Sequence, residues 1–85
     1  MREDAMERYL IKFMTDEGFM VEISVVAPVD LEGAEQTNEA YRRARHQVAM
    51  KHRGIGNLHL FSCEKGVLTD IGWVKERDAV VTEYT

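Results

Sequence analysis

The sequence has one cysteine, Cys63, one proline, Pro28, and no apolar run near the roughly 18 residues that a membrane-spanning helix needs. A lone cysteine excludes an internal disulfide, so no bridge supplements the small core, and the expected compartment is the reducing cytoplasm. The opening residues Met1-Arg2-Glu3-Asp4-Ala5 are acidic and polar where a secretory signal would be basic and then apolar, which gives the expectation of a chain without one.

Metal ligands are equally sparse. His46 and His52 lie six apart on an expected helix, about 240° around its axis, and cannot share an ion. His59 and Cys63 lie four apart on an expected strand and share a face, but a closed zinc site needs about four ligands. No metal and no cofactor are expected. Asp16, Glu17, Asp30 and Glu32 fall in loops that nothing in the sequence brings into one cleft. Gly54-Ile55-Gly56-Asn57 follows a helix and precedes a strand, the reverse of the order that aims a helix N-terminus at phosphate, so it reads as a helix stop. No catalytic residue emerges, and the expectation is a protein that is not an enzyme.

What is present suffices for one folded domain. The 85 residues are 45% hydrophobic and 31% charged, close to globular averages. A single α+β domain spanning 1–85 is expected, with 1–7 flexible. The net charge of −4 is unevenly spread: residues 1–39 hold ten acids and three bases, residues 40–63 hold five bases and no acid, and residues 64–85 hold five acids and three bases. A basic block therefore sits within an acidic chain.

The periodicity predicts the elements. Tyr9 to Met14 and Phe19 to Ala27 alternate and are rich in β-branched and aromatic residues, and the polar loop Thr15-Asp16-Glu17-Gly18 joins them as a hairpin. Pro28 ends the second strand. From about Ala34 or Gln36 to Arg53 the period becomes helical, with Thr37, Tyr41, Ala44 and Val48 on one stripe and Gly54 placed to end the helix. Asn57 to Cys63 and Val67 to Val74 form a second hairpin about Glu64-Lys65-Gly66, and Ala79 to Tyr84 reads as a fifth strand. The fold expected is α+β, an antiparallel sheet of four to five strands with one main helix over 36–53, in the order ββαββ(β).

One helix about 10 Å across cannot cover a sheet about 20 Å wide. The helix side is assigned Tyr9, Ile11, Phe13, Val21, Ile23, Val25, Leu58, Leu60, Ile71 and Trp73. The other side carries Leu10, Met14, Met20, Val26, Phe61, Leu68 and Val74 among Lys12, Glu22, Ser24, His59 and Asp70. Such a mixed face is typical of a protein interface, with Met20 and Phe61 as candidate contacts and a homodimer as one outcome. The alternative is a sheet that curves on itself while the termini cover the rest. Opposite the buried stripe of the helix, Arg42, Arg45, His46, Arg53 and, laterally, Arg43 face solvent together and could meet an acidic protein surface or phosphates. His52 is expected to cap the last turn, and Cys63 to be a small core or interface hydrophobe.

The layout hairpin, single helix, hairpin, running from Tyr9 to Val74 in an acidic chain without an active-site motif, resembles the small inhibitor proteins of bacteriophages and mobile elements, anti-CRISPR proteins among them. The resemblance is one of size and architecture and carries over no functional residue; the outward arginines depart from inhibitors that act as acidic DNA mimics. It implies a non-enzymatic inhibitor or modulator that acts by protein contact. Nucleic-acid binding by the basic face of helix 36–53 is the alternative.

Overall fold

The computed structural model describes residues 6–54 and 56–83. Strands β1 (Met6–Thr15) and β2 (Met20–Pro28), helix α1 (Ala34–Lys51), and strands β3 (Leu58–Thr69) and β4 (Gly72–Asp78) follow in that order. The four strands form one antiparallel sheet, β2-β1-β3-β4. β1 begins at Met6, inside the segment expected to be flexible.

The first hairpin forms where the loop chemistry places it. Gly18 takes a φ of 92°, Thr15 N donates to Phe19 O at 2.8 Å, and Phe19 N donates to Thr15 Oγ1 at 3.0 Å. Met14 stands opposite Met20, and the register runs unbroken to Met6 opposite Pro28. Tyr9, Ile11 and Phe13 consequently point to one side, where they are fully buried beside Val25 and Ala27.

The helix begins and ends two residues earlier than 36–53. Gly33 precedes it with a φ of 54°, and His52 N donates to Val48 O at 2.9 Å to close its last turn before Gly54 turns left-handed at φ 81°. Thr37, Tyr41, Ala44 and Val48 are buried as the period required, joined by Ala40 and Gln36. The methyl groups of Ala40 and Ala44 let the helix lie close to β1 and β2.

A buried polar chain fastens the start of the helix. Tyr9 donates its hydroxyl to Gln36 Oε1 at 2.5 Å, and Gln36 Nε2 donates to Pro28 O at 2.9 Å. Tyr9→Phe removes the donor and leaves the Gln36 carbonyl oxygen unpaired, so it is expected to lower stability by about 1–2 kcal/mol in urea or thermal unfolding, out of proportion to the single oxygen lost.

The second hairpin differs from expectation. Its turn is Asp70-Ile71, between paired Thr69 and Gly72, with Thr69 Oγ1 donating to Gly72 O at 2.8 Å. Gly66 lies within β3 because β4 crosses too close for any side chain. A Cβ there would meet Trp73 Cζ2 at 2.7 Å and the carbonyl oxygen of Val74 closer still. Two bulges add to the shift. Phe61 is an extra residue on β3 against Lys12 and Phe13, and Glu76 is extra on β4 against Lys65 and Gly66. The turn at Asp70-Ile71, in place of a strand running through it, exchanges the faces expected of Trp73 and Val74. Trp73 lies over Gly66 on the side away from the helix and donates Nε1 to Glu64 Oε1 at 3.0 Å, Val74 pairs with Val67 on the helix side, and Ile71 stands at the turn apex.

The expected fifth strand is absent among the described residues. Ala79 N donates to Cys63 O at 2.9 Å, after which residues 80–83 leave the sheet and cross to the helix. There Asn38 Nδ2 donates to Thr82 Oγ1 at 2.9 Å, and Thr82 N donates to Asn38 Oδ1 at 3.0 Å. Ala79 and Val81 are buried against the core. This strap covers part of the inner face that the helix leaves open; Tyr84, the last residue of the expected strand, lies outside the described residues.

Candidate interaction surface

Residues paired across an antiparallel sheet share a face, so the register sorts the outer face into rows that run across the strands. At one end stand two apolar pairs, Met6 with Pro28 on β1–β2 and Leu68 with Trp73 on β3–β4. Next come Val26, Arg8, Gly66 and Lys75, then Ser24, Leu10, Glu64 and Asp78. Beyond them stand Glu22, Lys12 and Ser62 with the bulged Phe61, and finally Met20, Met14 and His59. No element among the described residues covers this face. Phe61 is 60% exposed and Leu68 61% exposed, and Met20 is also exposed, so the two apolar candidates read from the sequence do reach solvent on the face assigned to them.

The charges of the face are partly engaged within it. Arg8 Nη1 donates to Ser24 Oγ at 2.9 Å, and Lys75 Nζ lies 2.7 Å from Asp78 Oδ1, which raises the Lys75 ammonium above its ordinary value. At the far end His59 Nε2 lies 2.7 Å from Asp16 Oδ1, and Asn57 Nδ2 donates to Asp16 Oδ2 at 3.3 Å. The hydrogen bond from His59 holds the Asp16 carboxyl below the usual range.

His59 and Cys63 do not share a face, contrary to their spacing of four. The Phe61 bulge intervenes, so His59 stands opposite Met14 on the outer side while Cys63 stands opposite Ile11 within the core. Burial pushes the Cys63 thiol up to about 11, which keeps it protonated and unreactive at neutral pH. Among the described residues no group of three or more histidine, cysteine, aspartate or glutamate side chains is arranged to hold a metal, and no helix is long and apolar enough to cross a membrane.

The five candidates of the basic face divide. Arg42 is paired with Glu39 at 2.8 Å and with Glu83 of the strap. Arg43 Nε is 2.7 Å from Glu39 Oε2, and its Nη1 donates to Val26 O at 2.9 Å, tying the helix to β2. The two guanidinium groups hold the Glu39 carboxyl below its ordinary range, Arg43 through the stronger hydrogen bond. Arg45 is set 5.7 Å over the Tyr41 ring and donates to the Tyr41 hydroxyl at 3.1 Å. Arg45 and His46 line an open cleft together with His52 and Leu58. Arg53 is exposed beyond the helix end.

One surface has no counterpart in the sequence reading. The ladder between β1 and β3 ends at Arg8 opposite Gly66, and the β3–β4 hairpin continues past it. Its end is apolar on both sides: Val67 and Val74 are exposed toward the helix side, Leu68 toward the other, and Ile71 at the apex is 94% exposed. The sequence signal was Thr69-Asp70-Ile71-Gly72, a turn tetrad with an apolar residue at a central position, masked by the stronger-looking glycine at Gly66. Compared with family models, with curated proteins and with solved structures, the chain matches none.

Proposed function

We propose that this chain is a small, non-enzymatic protein-binding module that inhibits or modulates its partner by contact, with the end of the β3–β4 hairpin as the inserted element. The observation that carries the reading is the hairpin apex: Ile71 is almost wholly exposed, and Val67 and Val74 behind it pack on nothing that hides them. An exposed apolar finger of this kind suits an apolar pocket or cleft on another protein, where burying one isoleucine contributes about 1.5–3 kcal/mol. Lys75, Glu76 and Arg77 follow it on β4 as a charged rim, the surround expected of a contact whose centre is apolar.

The nucleic-acid alternative has less to draw on, since Arg42 and Arg43, two of the four arginines on which it rests, are already paired with Glu39 and Glu83. The test is to recover a stoichiometric protein partner from the source cells with the tagged chain and repeat the capture with Ile71→Asp. The substitution is expected to leave the unfolding midpoint within about 0.5 kcal/mol of the parent, as for any exposed site, while weakening partner affinity at least about tenfold. Capture indifferent to Ile71→Asp would overturn the hairpin assignment. Salt-sensitive binding of nucleic acid, lost on Arg45→Glu with Arg53→Glu, would favour the alternative.

A further inference from the structure

The outer face differs electrostatically from the rest of the molecule. Its paired strand positions carry three bases, Arg8, Lys12 and Lys75, and three acids, Glu22, Glu64 and Asp78, so the ladder is neutral, and the net charge of −4 belongs to the rest of the chain, the loop with Asp16 at the far end included. Two copies of the chain repel one another on most approaches and least across this face. Its charges are also ordered. Arg8 and Lys75 occupy one row, and Glu64 and Asp78 occupy the row beside it.

We propose that the outer face binds a second copy of this chain, sheet on sheet, about a two-fold axis that lies between those two rows and perpendicular to the strands. Rotation about that axis lays the basic row of each copy on the acidic row of the other. Lys75 then faces Asp78 of the second copy, and Arg8 falls beside its Glu64. The same operation carries the row of Leu68 onto the row of Phe61, so the two most exposed large apolar residues of the face cover each other reciprocally. One axis thus satisfies the charges and the apolar groups together, as an isologous interface requires. The size also fits. Four strands at about 4.8 Å by nine residues at about 3.4 Å give a projected area near 600 Å², and the relief of the side chains raises it toward the roughly 800 Å² per partner of a standard interface.

This pairing leaves the hairpin apex and its inner valines outside the charge and apolar matches, so it stands or falls separately from the partner proposed for them. Sedimentation equilibrium from about 1 to about 500 µM is expected to show a monomer–dimer transition in the parent chain, the range in which an interface of this size and polarity associates. Lys75→Asp places acid against acid and Asp78→Lys base against base, and each alone is expected to dimerise at least about tenfold more weakly. Mixed in equal amounts the two variants regain the parental association, because each then meets its complement across the axis. That recovery also shows that both variants are folded. Phe61→Asp, at an exposed position, is expected to abolish the dimer with an unchanged thermal unfolding of the monomer. A parent chain that stays monomeric throughout the range, or variants that associate alone as well as the parent does, overturns the proposal.

Discussion

Gly66→Ala is expected to lower stability by about 2–4 kcal/mol, a large share of the roughly 4–13 kcal/mol that holds a domain of this size together. The added methyl would point away from the helix into β4, where Trp73 Cζ2 stands 2.7 Å away and the Val74 carbonyl nearer still. A flexible side-chain tip could move aside; a paired strand cannot, and the indole is held by its hydrogen bond to Glu64. Relief therefore requires the β3–β4 ladder to open around Gly66 and Lys75. Urea unfolding followed by the fluorescence of Trp73, the one tryptophan, measures both consequences: a lower midpoint, and a native emission shifted to the red as the ring leaves its seat. A Gly66→Ala protein as stable as the parent would mean that the hairpin turns at Gly66 and that the register on which the outer face rests is wrong.

The same residue explains where the sequence was legible and where it was not. A glycine is read as a turn because it tolerates positive φ, but it serves equally where another backbone approaches too closely for a side chain, and local pattern does not separate the two uses. Thr37, Tyr41, Ala44 and Val48 were legible because a helix repeats its buried face at every turn, and no neighbour alters that period. Tyr9, Ile11, Phe13 and Val25 were legible for the corresponding reason in strands without a bulge between them. The Phe61 bulge resets the alternation, so Cys63 enters the core and parts from His59; the turn at Asp70-Ile71, read as the middle of one strand, sent Trp73 and Val74 to the wrong faces, while Phe61 and Leu68 kept theirs. Charge on the helix was legible as composition but not as availability. Glu39 lies three and four residues before Arg42 and Arg43, spacings at which ion pairs form, and the further contacts with Glu83 and Val26 depend on tertiary structure. The charged rows of the outer face depend on the register of β1, β3 and β4 at once and so were beyond any reading of single segments.

The strap poses the remaining question, since an alternating segment reads the same whether it joins a sheet or crosses a helix. Val81→Asp is expected to cost at least about 3 kcal/mol and Val80→Asp almost nothing, because Val81 is 2% exposed and Val80 is 72% exposed. The two substitutions introduce the same charge one residue apart, so their difference isolates burial from composition and from local propensity. At Val81 the carboxylate would enter the side of the core that the helix does not cover. There it either holds the strap off, exposing Ala79 and the core beside Cys63, or remains inside protonated; both routes lose the apolar burial that the strap supplies. Release of the strap also takes Thr82 and Glu83 away from Asn38 and Arg42, so the amides of residues 82 and 83 should lose hydrogen-exchange protection together with the end of α1 near Asn38. Equal effects at 80 and 81 would indicate that residues 79–83 continue the sheet edge, as the alternation alone suggests, and would leave the inner face of β3 uncovered.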